Sequence, residues 1–256
     1  TKSYENRFFL PLSEISDTDN DWDSTTYHQY EIDAHYSLEA VYDYFYTKFG
    51  RNSIDNAGTP VTVGVHNGNW TNTATYFSNT INCGDGDRVL YHPFTSIEMI
   101  GHEFAHGIIL NELSNANIYS TETRSLIEGI ADCFAVAVDV FKYPNGANFL
   151  IGDKESISHR PIRSISNPEA YSLPETYRGE NWNDADYTSN GTVIGYWFFL
   201  LSRGRSGINS FQEPYVVDSI GMGKASDILY RTVVNYMTNT TIFSDFSYAS
   251  IQSAVD

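Results

Sequence analysis

The sequence predicts an α+β fold, with mixed structure first and a mainly α-helical second half. Three observations carry that reading. A helical pattern over about 33–49 is followed by β-branched alternation between Thr59 and Val65. A Gly84-Asp85-Gly86-Asp87 turn closes the strand-rich part. Beyond it the apolar periodicity is helical over about 96–112, 123–141, 190–202, 223–237 and 245–254.

In order, residues 1–25 are polar and irregular, and the Ser16–Asp23 stretch reads as loop. Gly50 stands where the cap of the first helix belongs. Thr73 to Asn82 reads as a second strand, and the Pro-, Asn- and Ser-rich segment between 142 and 190 as loops and short turns. The expected division is 1–107, an N-terminal part that includes the helix over 96–112, and 108–256, the mainly helical remainder.

Composition narrows the partners. The 256 residues are 41% hydrophobic and 15% aromatic, enough for a packed core. A net charge of −17 excludes the basic face that nucleic acid requires. No apolar run reaches the length of a membrane span. Thr1 opens directly into Lys-Ser-Tyr-Glu-Asn-Arg without an apolar leader, as expected of a processed exported chain and equally of a cytosolic one. Cys83 and Cys133 are too few for a disulfide framework, and Cys133 reads as a small core residue.

The chemistry lies in Gly101-His102-Glu103-Phe104-Ala105-His106. Residues four apart share a helix face, so His102 and His106 can present two imidazoles to one zinc ion. Glu103 stands about 100° further round and is free to act on a water. Thr95 is expected to cap this helix, with Glu98 three residues on as in a capping box. In the next helix Glu128, Asp132 and Asp139 form one acidic stripe amid Leu126, Ile127, Ile130, Ala131, Phe134, Ala137 and Val138. Such a stripe is costly unless cations face it. Glu128 is thus the expected third zinc ligand, with a fourth position left for water, and Asp132 the acceptor for a ligand histidine's free N–H.

With these residues on the page, the chain resembles the thermolysin family of zinc metallopeptidases. The resemblance rests on Gly84–Asp87, Gly101–His106, Glu128-Gly-Ile-Ala-Asp132, Ile151-Gly152-Asp153 and Arg163-Ser-Ile-Ser-Asn-Pro168, in order, and covers Asp33 to about Ile251. It implies a thermolysin-like fold of two lobes, a shortened β-containing N-terminal lobe and a mainly α-helical C-terminal lobe, with zinc in the cleft. It implies an endopeptidase, with Glu103 as the base and Tyr119 beside the tetrahedral intermediate. Arg163 would bind a substrate carbonyl, and Ala74, with Thr73 and Tyr76, would pair with an extended peptide. Met99, Ile162, Ile151 and Phe94 would form an apolar pocket just past the cleaved bond, favouring a bulky apolar residue there. Export follows from the resemblance as well.

The chain departs from the family in three places. Where the family has an oxyanion-stabilising histidine, this sequence has Tyr187, whose hydroxyl offers the same kind of hydrogen bond. Ile127 replaces an asparagine that often supports a zinc histidine. The family's calcium cluster maps to Glu98, Asp139, Asn148, Leu150 and Asp153, and Leu150 offers no side-chain oxygen, so one structural calcium is expected rather than two. A zinc-binding relative without turnover and a zinc aminopeptidase are the alternatives.

Overall fold

A computed structural model of the chain describes residues 2–3, 13–14, 29–66, 72–114, 120–146 and 148–256. The N-terminal part holds strands β1 (Lys2–Ser3) and β2 (Ser13–Glu14), helix α1 (Gln29–Phe49), strands β3 (Thr62–Val65), β4 (Ala74–Phe77) and β5 (Thr80–Cys83), and helix α2 (Ile97–Glu112). The strands form one sheet in the order β2-β1-β3-β5-β4. β3 runs parallel to β5, and β4 antiparallel to it, with Ala74 opposite Cys83 and Phe77 opposite Thr80. β4 is therefore an edge strand.

Thr73 to Asn82 is a hairpin rather than one strand. Ser78 and Asn79 both take positive φ, 48° and 61°, and two such residues make a turn whose twist matches the flanking strands. The cap of α2 also differs from expectation. The Ser96 hydroxyl accepts from the Met99 N–H at 3.3 Å, whereas Thr95 is buried and its carbonyl accepts from Ser37 Oγ. Glu98 makes no capping box and turns to Lys154 instead.

The second half begins with α3 (Thr121–Lys142), then the short strands β6 (Leu150–Ile151) and β7 (Arg163–Ser164), which pair antiparallel. A 3-10 turn (Pro168–Tyr171), α4 (Tyr187–Asn190) and α5 (Thr192–Arg203) follow. A hairpin of β8 (Arg205–Ile208) and β9 (Pro214–Val217), not foreseen from the sequence, precedes α6 (Met222–Asn235) and α7 (Phe243–Val255).

Phe45 of α1, Phe104 of α2 and Phe134 of α3 are fully buried, with ring centroids 5.5 Å (Phe45–Phe104) and 5.2 Å (Phe45–Phe134) apart. Contacts of this kind are worth roughly 1 kcal/mol each beyond their buried area, and they lock the three helices together. Small residues allow the close approach of α2 to α3: a methyl on Gly101 would stand 3.3 Å from Ala135 Cα. The helices thereby bring their polar residues within reach of each other. Cys83 and Cys133 are buried free thiols.

Candidate metal centre and active site

α2 supplies His102 and His106 from one face, one turn apart. Their Nε2 atoms lie 2.9 Å from each other. α3 supplies Glu128, whose two oxygens stand 3.7 Å from His102 Nε2 and 3.6 Å from His106 Nε2. Two donors bound about 2.0–2.1 Å from one tetrahedral zinc are roughly 3.3–3.4 Å apart. The three observed separations bracket that value, so the residues fit the ion. Among the described residues this is the one group of three or more His, Cys, Asp or Glu donors gathered closely enough to hold a metal.

The surroundings act in opposite directions on the two imidazoles. Burial and the neighbouring His102 bring His106 down to about 4, so it is neutral at pH 7 and its nitrogen lone pair is available. Burial opposes charge on His102 too, but the Asp132 carboxylate outweighs it and the net shift is upward. Asp132 Oδ1 lies 2.8 Å from His102 Nδ1, which leaves Nε2 to face Glu128 and His106. Asp132 is itself buried. That burial works to raise its pKa, yet Arg163 and His102 hold its carboxyl far below the usual range. Arg163 makes the two-pronged contact, Nε to Oδ2 at 2.6 Å and Nη2 to Oδ1 at 2.8 Å.

A cavity of about 470 Å³ opens above the donors. Glu103, Arg163 and Tyr187 line it, as do Thr73, Ala74 and Tyr76 from the edge strand side and Phe94, Met99 and Ile162 from the apolar side. Ile151 is fully buried and does not line it. Tyr119 lies outside the described residues. Tyr187 opens α4, and the Arg124 guanidinium sits 3.7 Å from the centre of its ring. Arg124 escaped notice in the sequence, although its place four residues before Glu128 puts it on the same face of α3. A larger cavity of about 690 Å³, near the starts of α1 and α2, contains none of the donors.

Of the residues mapped to calcium, Glu98 and Asp139 are bridged by Lys154 Nζ, at 2.8 and 2.6 Å. Asn148 Nδ2 donates to Asp153 Oδ2 at 2.7 Å. The three acids among them, Glu98, Asp139 and Asp153, do not gather into a three-donor group as the zinc donors do.

Fold and donor set together define a class, the two-part metallopeptidases whose third ligand comes from the helix after the histidine pair. The model of the thermolysin metallopeptidase catalytic domain matches residues 2–110, and that of the thermolysin metallopeptidase alpha-helical domain matches 116–256. The chain belongs to the thermolysin family, which is zinc-dependent and carries structural calcium. It is 33% identical to bacillolysin of Bacillus amyloliquefaciens across 100% of this chain and 46% of that protein. It is 32% identical to neutral protease NprE of Bacillus pumilus across 96% of this chain and 77% of the relative. The chain thus spans less than half of the first relative. In fold it is similar to the precursor of protealysin, a metalloproteinase from Serratia proteamaculans, with a TM-score of 0.78, 24% identity and coverage of 99% and 80% of the two chains.

Proposed function

We propose that this chain is a zinc-dependent endopeptidase that hydrolyses peptide bonds in peptides or proteins. The observation that carries the reading is the His102–His106–Glu128 donor set, spaced for a tetrahedral ion, at the floor of a cavity bordered by an edge strand. In this reading the boundary between 1–107 and 108–256 runs through the site, since the first part brings both histidines and the second brings Glu128.

Zinc, when bound, supplies Lewis acidity toward water and the scissile carbonyl. Glu103 takes the proton of the attacking water and returns it to the leaving amine. Tyr187 donates its hydroxyl hydrogen to the oxyanion, and Tyr119 is assigned a similar duty by family resemblance. The substrate backbone adds to β4 along Thr73, Ala74 and Tyr76, held by main-chain hydrogen bonds. Arg163 spends Nε and Nη2 on Asp132, and its Nη1 remains to meet a substrate carbonyl. Met99, Ile162 and Phe94 favour a bulky apolar residue just after the cleaved bond. Cleavage profiling of a mixed peptide library is expected to show that enrichment, and a flat profile would refute it. Family membership also supports export. Among the described residues no helix is long and apolar enough to cross a membrane.

Tyr187 in place of the family's histidine favours one second reading, a zinc-binding relative without turnover. Peptides with blocked and free N-termini separate the possibilities. Hydrolysis of blocked peptides supports the endopeptidase, hydrolysis of free ones alone an aminopeptidase, and no hydrolysis of either the non-catalytic relative. Glu103→Gln is expected to lower turnover by ~10²–10⁴-fold with zinc content unchanged.

A further inference from the structure

Glu98 and Asp139 lie on the first turn of α2 and the last third of α3, and both are buried, at 1% and 7% exposure. Their neighbours on these helices are apolar, among them Ile97, Ile100, Ala135 and Val138. Two carboxylates so placed cannot both stay ionised without a cation between them. A calcium ion would need about 6–8 oxygens at roughly 2.3–2.6 Å.

The chain supplies something else. Lys154 Nζ stands 2.8 Å from Glu98 Oε2 and 2.6 Å from Asp139 Oδ1, so the ammonium occupies the space between the carboxylates. The Lys154 side chain is 42% exposed along its length, and although loss of water around the ammonium opposes its charge, the two buried acids outweigh that and its pKa is raised. The next acid in line has a partner of its own: Asp153 Oδ2 accepts from Asn148 Nδ2, and Asn148 Oδ1 accepts from the Leu150 N–H at 3.1 Å. Glu98 Oε1 and Asp153 Oδ1 are buried without a hydrogen-bond partner among the described residues. They do not join Asp139 in a compact three-donor group.

We propose that at this acidic pair the Lys154 ammonium does the work of a structural cation, tying α2 to α3 without calcium. As arranged, the pair is bridged by a lysine and gathers no third carboxylate among the described residues for a divalent ion. A covalently attached cation cannot dissociate, so the tie is independent of calcium concentration. It is also independent of whether the zinc site turns over peptide.

The test is thermal unfolding of the zinc-loaded protein in calcium-free buffer and in millimolar calcium chloride, with bound calcium measured by atomic absorption. The wild type is expected to unfold at the same temperature in both, with no calcium retained. Lys154→Met keeps most of the stem and removes the charge, and is expected to unfold roughly 5–10 °C lower in calcium-free buffer. Lys154→Arg should retain most of the stability, which separates charge from packing. A wild-type midpoint that climbs with calcium, stoichiometric calcium in the purified protein, or an unchanged midpoint in Lys154→Met would each overturn the proposal.

Discussion

Asp132→Asn is the substitution that most directly separates the parts of this site. Both carboxylate oxygens are engaged: Oδ1 meets His102 Nδ1 and Arg163 Nη2, each at 2.8 Å, and Oδ2 meets Arg163 Nε at 2.6 Å. An amide keeps one acceptor oxygen, and its new NH₂ must face an N–H donor. Arg163, whose side chain is 12% exposed, loses its counter-charge. Removing one partner from a buried ion pair costs about 3–5 kcal/mol, and the partial exposure of Arg163 places this case near the lower end. The metal should feel a separate effect. Loss of the acceptor behind a ligand histidine weakens metal binding by roughly 10–100-fold, or about 1.4–2.7 kcal/mol. Two assays divide the effects: urea unfolding of the zinc-free protein reports the Arg163 pair, and competition with a chromogenic chelator reports His102. Zinc affinity within twofold of the wild type, alongside reduced stability, would refute the role of Asp132 as the orienter of His102.

Tyr187→Phe is expected to lower kcat by ~10²–10³-fold with zinc content unchanged, and an unaltered kcat removes Tyr187 from the mechanism. Glu155 is 2% exposed, and burial, followed by the neighbouring Glu98 charge, lifts its carboxyl to about 8. The folded protein therefore holds a proton between the ordinary value near 4.5 and about 8 that the unfolded chain releases, so stability falls as pH rises through that window. Glu155→Gln should flatten this slope and raise the unfolding temperature at pH 8; parallel slopes for the two proteins would contradict it. A methyl added at Gly129 would lie 2.2 Å from the Gly191 carbonyl and 2.8 Å from Ile194 Cβ. Gly129→Ala is accordingly expected to cost ~1–3 kcal/mol in denaturant unfolding and to weaken zinc binding by displacing Glu128. In Gly223→Ala the nearest atom is the tip of Lys48 at 3.9 Å, and stability should hold or rise.

What the sequence made legible follows the strength of its periodicity. His102 and His106 are readable because a helix repeats nearly every four residues, and Glu128 and Asp132 because acids in so apolar a helix demand partners. The hairpin over 74–83 was hidden because its turn, Ser78-Asn79, lacks the glycine that usually marks a positive-φ pair. Ser96 and Thr95 are adjacent hydroxyl residues with equal capping chemistry, and the choice between them depends on Ser37 claiming the Thr95 carbonyl. β8 and β9 carry a glycine and a proline and are largely exposed, so no alternation announces them. Lys154 follows an acidic residue in a loop, a pattern shared with countless surface lysines; only the fold shows that its ammonium reaches two buried acids.

The partners of α3 explain why these features occur together. Along one helix, Arg124 lies over Tyr187, Glu128 faces the two histidines, Asp132 joins His102 to Arg163, and Asp139 takes Lys154. Successive steps of four, four and seven residues keep all of them on one stripe. None of the three acids is tolerable in this apolar helix by itself, and each is satisfied by a residue from a different element: α2, β7 or the loop after β6. An error in the docking of any of those elements leaves a charge buried and unpaired, which costs several kcal/mol. Tolerance for alternative packings is therefore low around α3. The same requirement that makes the stripe costly also fixes the zinc donors to within a few tenths of an ångström of their tetrahedral spacing, because the helix that carries Glu128 is held at one end by Arg124 on the Tyr187 ring and at the other by the Asp139–Lys154 ion pair.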